Sequence, residues 1–324
     1  MKFSSYTALI NIRKDELVIL KVIGEIKKIR RNGLNQVQLG WLFLFPALIL
    51  IFSIALYPAL NTIYLSFFKY KAQLLIYGKT YIGIENYIKL LHDGRFWGAF
   101  VNTVVFTIAA VSIETVLGLG SALVMNMTFK GRGLLRTSVL IPWAIPTVVS
   151  GMMWRFMYND QLGVVNDILY RLGLIDNFVS WLGKTNTALI CVIIADVWKT
   201  TPYMALLLLS GLQTIPHELY EAGAIDGASK WQVFLKITLP LLKPVLMVAL
   251  LFRSLATFKI YDLIAVLTNG GPANSTESLS MYTVKTYFKF GNYGYGATMA
   301  VATLFFAMLL SLLFLNTLKT KVKV

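Results

Sequence analysis

The chain has 324 residues, 57% hydrophobic and 14% charged, with 30 Lys and Arg against 15 Asp and Glu, a formal net charge of +15. A soluble domain averages about 45–50% apolar and about 25% charged residues, so a water-soluble core of this size cannot hide so much apolar surface, and disorder is excluded by the same numbers. One cysteine rules out an intrachain disulfide, two histidines leave little for a metal site, and nucleic-acid binding would need a soluble basic face.

The first 38 residues are a basic tail in which Leu17, Val18, Leu20, Val22, Ile23, Ile26 and Ile29 alternate with Lys27, Lys28, Arg30 and Arg31. The tail reads either as an amphipathic helix on anionic lipid or, preferably, as the positive flank of a first membrane span. No apolar segment with a small-residue cleavage site precedes Leu39, so no removable signal peptide is expected. Apolar runs of about 18 or more residues, enough to cross ~30 Å of hydrocarbon, predict six spans. They lie at Leu39–Leu60, Gly98–Met127, Ser138–Tyr158, Thr187–Gln213, Leu241–Thr268 and Gly294–Thr317. The chain therefore divides into a tail (1–38), a first span with its loop (39–97), a main membrane domain (98–317) and a short tail (318–324). The expected class is an all-α membrane protein.

Six spans put both ends on one side. Segments 1–38, 128–137, 214–240 and 318–324 hold 16 Lys and Arg in 82 residues, against nine in 90 for loops 61–97, 159–186 and 269–293. That bias places both termini in the cytoplasm. An enzyme is not legible. Gly78-Lys79-Thr80 and Gly183-Lys184-Thr185 suggest a phosphate loop, but Gln73 and Phe178 stand where such a loop needs another glycine. His92 and His217 fall on opposite sides of the membrane and cannot share a metal. Cys191 lies inside a span and reads as a small apolar group.

The loop between spans four and five, 216–240, divides into two short helices. Pro216 suits a first turn, Glu218 and Glu221 complement the positive helix end, and Gly227 stops it. Ser229 and Gln232 then form a capping-box pattern, and Pro240 is expected to end the second helix. A DNA-reading role fails on charge, because Lys230 and Lys236 barely offset Glu218, Glu221 and Asp226. An inert loop would leave Tyr220, Ile225, Trp231 and Phe234 exposed without reason. Docking into a groove of a partner is the reading preferred.

Glu221-Ala222-Gly223-Ala224-Ile225-Asp226-Gly227-Ala228, followed by Ile237-Thr238-Leu239-Pro240, resembles the EAA loop of permease subunits of binding-protein-dependent ABC importers. Gly223 departs from the usual alanine, a change expected to loosen the helix without removing a contact group. Tyr81-Ile-Gly-Ile-Glu-Asn-Tyr87 with Asn102-Thr103 is similar to the sugar-importing (maltose and glycerol-phosphate) branch. So are Ile141–Pro146 with Trp154, Gly163–Asn166 and Thr268–Thr276. The resemblance covers about residues 40–317 and extends, more loosely, to permeases of alginate-oligosaccharide importers. It implies a type I ABC importer permease fold of six transmembrane helices with a cytoplasmic coupling helix, in a bacterial inner (plasma) membrane. Implied partners are a second, homologous permease (a heterodimer), two ATPase subunits, an extracytoplasmic solute-binding protein and membrane lipid, with no nucleic acid. No cofactor is expected in this chain; ATP and Mg would bind the ATPases. Coupling would fall to Glu218, Glu221, Ala222, Gly223, Asp226, Gly227 and Ala228, with Glu221 pairing with a basic group of the ATPase.

Apart from Lys243 at the membrane edge, seven ionisable residues fall inside the expected spans, each costing about 2.5–3.5 kcal/mol at a bilayer centre unless it faces protein or water. Arg155 lies near an outer end and is expected to snorkel. Asp196 with Lys199, and Lys259 with Asp262, can neutralise each other at i,i+3 or face a pathway. Glu114 and Arg253 can pair across helices or line a cavity. Sugar-stacking aromatics and polar groups nominate Trp198, Lys199, Tyr203, Phe258, Tyr261 and Asp262, with Pro202 disturbing span four and Pro142 and Pro146 bending span three towards a gate. Any one of these residue types is more often packing than ligand. The expected function is the carbohydrate pathway of an ATP-driven importer. The alternatives are a secondary transporter relaying protons through Glu114 or Asp262, which leaves the docking unit unexplained, and a scaffold without transport.

Overall fold

The computed structural model describes residues 36–73 and 78–319. The expected amphipathic tail, apart from its last three residues, and residues 320–324 lie outside the described residues. The chain divides into two compact units, residues 1–61 and 62–324. Helix Gln36–Ile51 (α1) of the first passes through one wide π turn, Phe52–Leu56, into Tyr57–Ser66 (α2), whose residues 62–66 are counted with the second. The Tyr57 N–H reaches back to Phe52 O, which relaxes the helix where the Pro58 ring would meet the carbonyl of Ile54.

After the end of α2 the second unit holds a two-residue antiparallel pair, Phe68–Lys69 (β1) and Thr80–Tyr81 (β2). Then follow Glu85–Leu91 (α3), Gly94–Asn126 (α4), Arg132–Ala144 (α5), Thr147–Met157 (α6), Val164–Arg171 (α7), Thr185–Leu212 (α8), His217–Ile225 (α9) and Lys230–Val233 (α10). Leu239–Phe258 (α11), Asp262–Leu267 (α12), Leu279–Val284 (α13) and Tyr293–Lys319 (α14) complete it. Helices α4 and α8 pack along their length, and Gly118 permits it: a Cβ there would sit 2.7 Å from Met204 Cγ. Small residues serve this purpose between membrane helices, where the lipid is as apolar as the side chains.

Among the described residues, five helices are long and apolar enough to cross a membrane: Val37–Ser66, Gly94–Asn126, Thr185–Leu212, Lys230–Phe258 and Tyr293–Asn316. Expected span three is instead a pair, α5 and α6, bent by 89°. The break falls at Ile145–Pro146, while Pro142 sits inside α5. Proline disfavours helical geometry in the residue before it, so the break forms one residue ahead of the ring. Expected span five is also displaced towards its N-terminal side. It stops at Phe258, and Lys259–Tyr261 separate it from α12. Pro202, by contrast, leaves α8 unbroken.

Pro240 does not end the second helix of the 216–240 loop. A π turn, Phe234–Thr238, joins α10 to α11, with Leu239 N–H bonded to Phe234 O. The turn does at Pro240 what its counterpart does at Pro58. Lys230–Phe258 is consequently one helix of 29 residues, about 43 Å long at ~1.5 Å per residue.

Candidate functional site

Three helices meet at a buried charged cluster. Arg253 on α11 forks onto Glu114 on α4, through Nε to Oε2 and through Nη2 to Oε1 at 2.8 Å. Its Nη2 also donates to Asp196 on α8 and to Thr200 Oγ1 at 2.9 Å. Glu114 is fully buried, and Asp196, Lys199 and Arg253 are each less than a tenth exposed. One planar guanidinium thus holds two carboxylates that would otherwise be prohibitively costly in a bilayer.

Beside the cluster lies a cleft of about 200 Å³, walled by Thr147, Asp196, Lys199, Arg253, Thr257, Lys259 and Asp262 among others. Both helix interruptions border it: Thr147 opens α6 just past the 145–146 break, and Lys259 and Asp262 flank the gap after α11. Lys199 Nζ donates to Ile145 O at 2.8 Å, a carbonyl left over at the C-terminal end of α5. The interrupted helices expected to mark a pathway therefore exist, at Ile145–Pro146 and Lys259–Tyr261 rather than at Pro202.

Of the predicted pathway residues, the structure gathers Lys199, Arg253 and Asp262 on the cleft and sets Glu114 behind it. Asp196, read as a partner of Lys199, pairs with Arg253 instead, because the α11 guanidinium reaches both carboxylates at once. Lys259 and Asp262 do not share a helix, since the chain breaks between them. Phe258 is not on the cleft. It packs with Phe96, Leu279, Tyr282, Tyr295 and Met299 in an apolar cluster. Trp198 packs edge-on to Trp154 at 5.7 Å between centroids, and Tyr203 stacks on Trp143 at 6.1 Å. Tyr261 is partly exposed ahead of α12. Arg155 donates weakly to Val266 O and is exposed.

The 216–240 segment folds as expected over its first half. Pro216 caps α9 from just outside, and the helix ends at Asp226 with Gly227 at φ +74°, the left-handed conformation that glycine adopts without penalty. Ser229 and Gln232 cap each other's backbone N–H groups, a full capping box. Glu218, Glu221, Ala222 and Asp226 are exposed and Ala228 is half-buried. Glu221 Oε1 lies 3.1 Å from His217 Nδ1. Ile225 is 86% exposed and Trp231 68%. Gly223 faces inward, where a Cβ would sit 3.2 Å from Ile237 Cδ1. It is the close approach of α9 to the 230–238 turn that occupies this glycine.

Sequence reasoning missed a second charged centre, at the far end of α4. Glu277, fully buried, accepts from Arg95 Nε at 2.7 Å and Nη2 at 2.9 Å and from Lys285 Nζ at 2.8 Å. Burial pushes its carboxyl up, but the hydrogen bonds from Arg95 and Lys285 outweigh this and hold it below the ordinary glutamate value. Asp93 behaves alike: burial raises it, and Tyr295 and Tyr282 hydroxyls with the N–H groups of Phe96 and Arg95 bring it below normal. Asp93 was findable as the N-cap of a long helix; Glu277 carries no local signal. Residues that supported the family resemblance prove to be loop ties. Asn86 holds Ser66 O and Phe68 O, and Asn102 holds Asn274 O and Glu277 O. Asn166 receives the Val179 N–H and Trp181 Nε1.

A multi-span helical subunit with a polar cleft between interrupted helices and an exposed helix–turn–helix unit at one end is the architecture of a membrane transport subunit. Residues 114–321 match the family described as "Binding-protein-dependent transport system inner membrane component". The trehalose/maltose transport system permease protein MalF of Thermococcus litoralis is 43% identical over 87% of this chain and 94% of its own. The sulfoquinovosyl glycerol transport system permease protein SmoG of Agrobacterium fabrum is 39% identical, over 87% and 91%. The crystal structure of a bacterial ABC transporter that imports the acidic polysaccharide alginate superposes with a TM-score of 0.77, covering 92% of this chain and 99% of that one at 22% identity. The chain belongs to the binding-protein-dependent ABC transporter permease family and has the type I importer permease fold.

Proposed function

We propose that this chain forms one wall of the pathway by which an ATP-driven importer carries a carbohydrate delivered by a solute-binding protein. The observation that carries the proposal is the unbroken helix Lys230–Phe258, which begins in the exposed unit and ends with Arg253 and Thr257 on the polar cleft. A rigid helix pinned at both ends passes a displacement at one end to the other. The carbohydrate class is supported by the sugar permeases among the relatives. A second permease completes the path, and two ATPase chains, which bind ATP and Mg, sit against α9 on the cytoplasmic side. Both termini belong on that side in this reading, which the Lys/Arg bias supports. Glu218, Glu221 and Asp226 offer carboxylates to basic groups in the ATPase groove, while Ile225 and Trp231 fill its apolar floor. ATP-driven closure of the ATPases pulls α9 and, through α11, opens the cleft; hydrolysis resets it.

The test is uptake of labelled maltose or trehalose into proteoliposomes holding the assembled transporter. Uptake should require ATP and survive an ionophore that abolishes proton gradients. Uptake driven by a proton gradient without ATP would instead establish the secondary-transport alternative.

A further inference from the structure

The two ends of α4 each gather two cations and treat them differently. At the N-terminal end Arg95 and Lys285 share the carboxylate of Glu277, so this chain supplies a full negative charge to meet them. At the C-terminal end Arg132 and Arg136, both on α5, share one uncharged acceptor. Arg132 Nε donates to Met125 O at 2.9 Å, and Arg136 Nε and Nη2 donate to the same oxygen at 3.3 and 3.0 Å. A helix C-terminus offers about half an elementary charge, against two full positive ones. The two arginines also stand at i,i+4 on α5, where like charges repel, and the first turn of α5 holds no acidic residue. Neither makes an ion pair among the described residues. Residues 127–144 add Lys130 and contain no carboxylate. Both arginines are half-buried, so water screens their repulsion incompletely.

We infer that Arg132 and Arg136 bind the phosphate group of an anionic phospholipid. The general excess of basic residues beside membrane spans accounts for their presence in this loop, but not for two guanidinium groups turned onto one carbonyl. Both Nη groups of Arg132 and Nη1 of Arg136 donate to nothing among the described residues. These are the N–H groups that phosphate oxygens accept from in forked pairs. The depth suits a lipid headgroup. Helix α4 has 33 residues and is about 50 Å long at ~1.5 Å per residue. It therefore exceeds the ~30 Å hydrocarbon core, and its ends stand in the headgroup layers. Only residues 127–131 separate α4 from α5, too few to carry the arginines away from that layer. Met127, Phe129 and Leu134, which flank them in sequence, are exposed apolar side chains suited to acyl chains. A zwitterionic lipid would bring a cation of its own to the site, and a soluble phosphate would make no use of the apolar flank.

The test is thermal unfolding of the transporter, assembled from this chain and its partners in a neutral detergent. It is titrated separately with phosphatidylglycerol, phosphatidylcholine and inorganic phosphate. Phosphatidylglycerol should raise the unfolding midpoint at concentrations where the other two leave it unmoved. Arg132→Gln/Arg136→Gln keeps amide donors beside Met125 O and removes both charges. Its half-saturating phosphatidylglycerol concentration should rise by about fivefold for each arginine replaced. Lys130→Gln removes the same charge from the same loop but not from the pair, and should shift that concentration by about twofold at most. An equal effect at Lys130 would mean that the loop attracts the membrane surface as a whole and that the arginine pair is no site. An equal response to phosphatidylcholine or to inorganic phosphate overturns the anionic-lipid assignment. Loss of the ATPase subunits from the double variant, with its lipid response unchanged, gives the pair to that partner instead. If the double variant does not assemble, Arg136→Gln alone carries the fivefold test.

Discussion

The helix Lys230–Phe258 has two ends that solve opposite problems. At its far end Arg253 is buried with Glu114 and Asp196, and every charge there finds its partner within this chain. At its near end Trp231 and, across the Gly227 turn, Ile225 stand exposed with carboxylates around them, and nothing among the described residues covers them. The difference separates internal from shared structure. A group that must be satisfied by its own fold is costly to leave alone and becomes buried and forked. The exposed groups, which the proposed function gives to a partner, are held rigidly by a capping box and a left-handed glycine and left bare.

If that contrast is right, substitutions at the two ends fail in different ways. Arg253→Met strands two buried carboxylates and should cost about 3–5 kcal/mol, read as a large fall in the midpoint of thermal unfolding in detergent. Adding Glu114→Gln and Asp196→Asn to it should restore most of the stability without restoring uptake; a triple variant as unstable as the single one would show that the cluster does more than neutralise itself. The Glu277 centre should behave as a milder copy. Glu277→Gln removes the shared acceptor of Arg95 and Lys285 and should cost about 2 kcal/mol. Its pH dependence has a definite sign. The folded-state pKa of Glu277 lies below the ordinary 4.5, so its stabilisation is complete above the unfolded value and is lost as pH falls through the folded one. Unfolding midpoints should therefore be flat in this respect between about pH 6 and 8, and the gap between wild type and Glu277→Gln should close on acidification.

The near end of the helix was more legible in the sequence than the far end, for a physical reason. Caps and turns are local: Ser229 with Gln232, and Gly227 after the acidic helix, declare themselves within a few residues. The far end is assembled from residues 139 positions apart in the case of Glu114 and Arg253, and only the cost of burying charge pointed to a pairing. Local reasoning therefore matched Asp196 to its i+3 neighbour Lys199, when the third helix carried the better partner. Proline was over-read at Pro202 and Pro240, where the expected disturbance or end is absent, while the bend expected at Pro146 is present. Its effect depends on whether the helix can widen by one residue, as before Pro240, or is already free to turn, as at Pro146. The six apolar stretches were clear, but a pattern of hydropathy cannot tell one straight span from two helices bent 89° apart.

Changes at the near end should spare the fold and strike at the partner. Gly227→Val forces a β-branched residue into φ +74° with nothing crowding the site, a conformational penalty of about 1–2 kcal/mol that should leave insertion intact. The same change should uncouple ATP hydrolysis from uptake in proteoliposomes, and normal uptake by the variant would remove α9 from the coupling path. Trp231→Ala is smaller still for this chain, within about 0.5 kcal/mol of wild type, because the ring is exposed. Its effect belongs to ATPase binding, expected to weaken by about tenfold or more if the indole is an anchor of that interface.

Gly223→Ala should be the quietest of all, although it changes a residue in the centre of the docking unit. Alanine gains about 1 kcal/mol over glycine inside a helix. Against this, its Cβ would stand 3.2 Å from Ile237 Cδ1 and 3.6 Å from Val233 Cγ2. The first contact is tight by a few tenths of an ångström, but it is with the far end of a flexible side chain, so Ile237 can yield and the two effects nearly cancel. Unfolding and coupled uptake should both stay within error of wild type. Gly223→Leu, which Ile237 cannot accommodate, should push α9 off the 230–238 turn and lower coupled uptake without lowering the amount of protein in the membrane. Loss of coupling already at Gly223→Ala would mean that the spacing of α9 from the long helix is set more finely than side-chain packing requires.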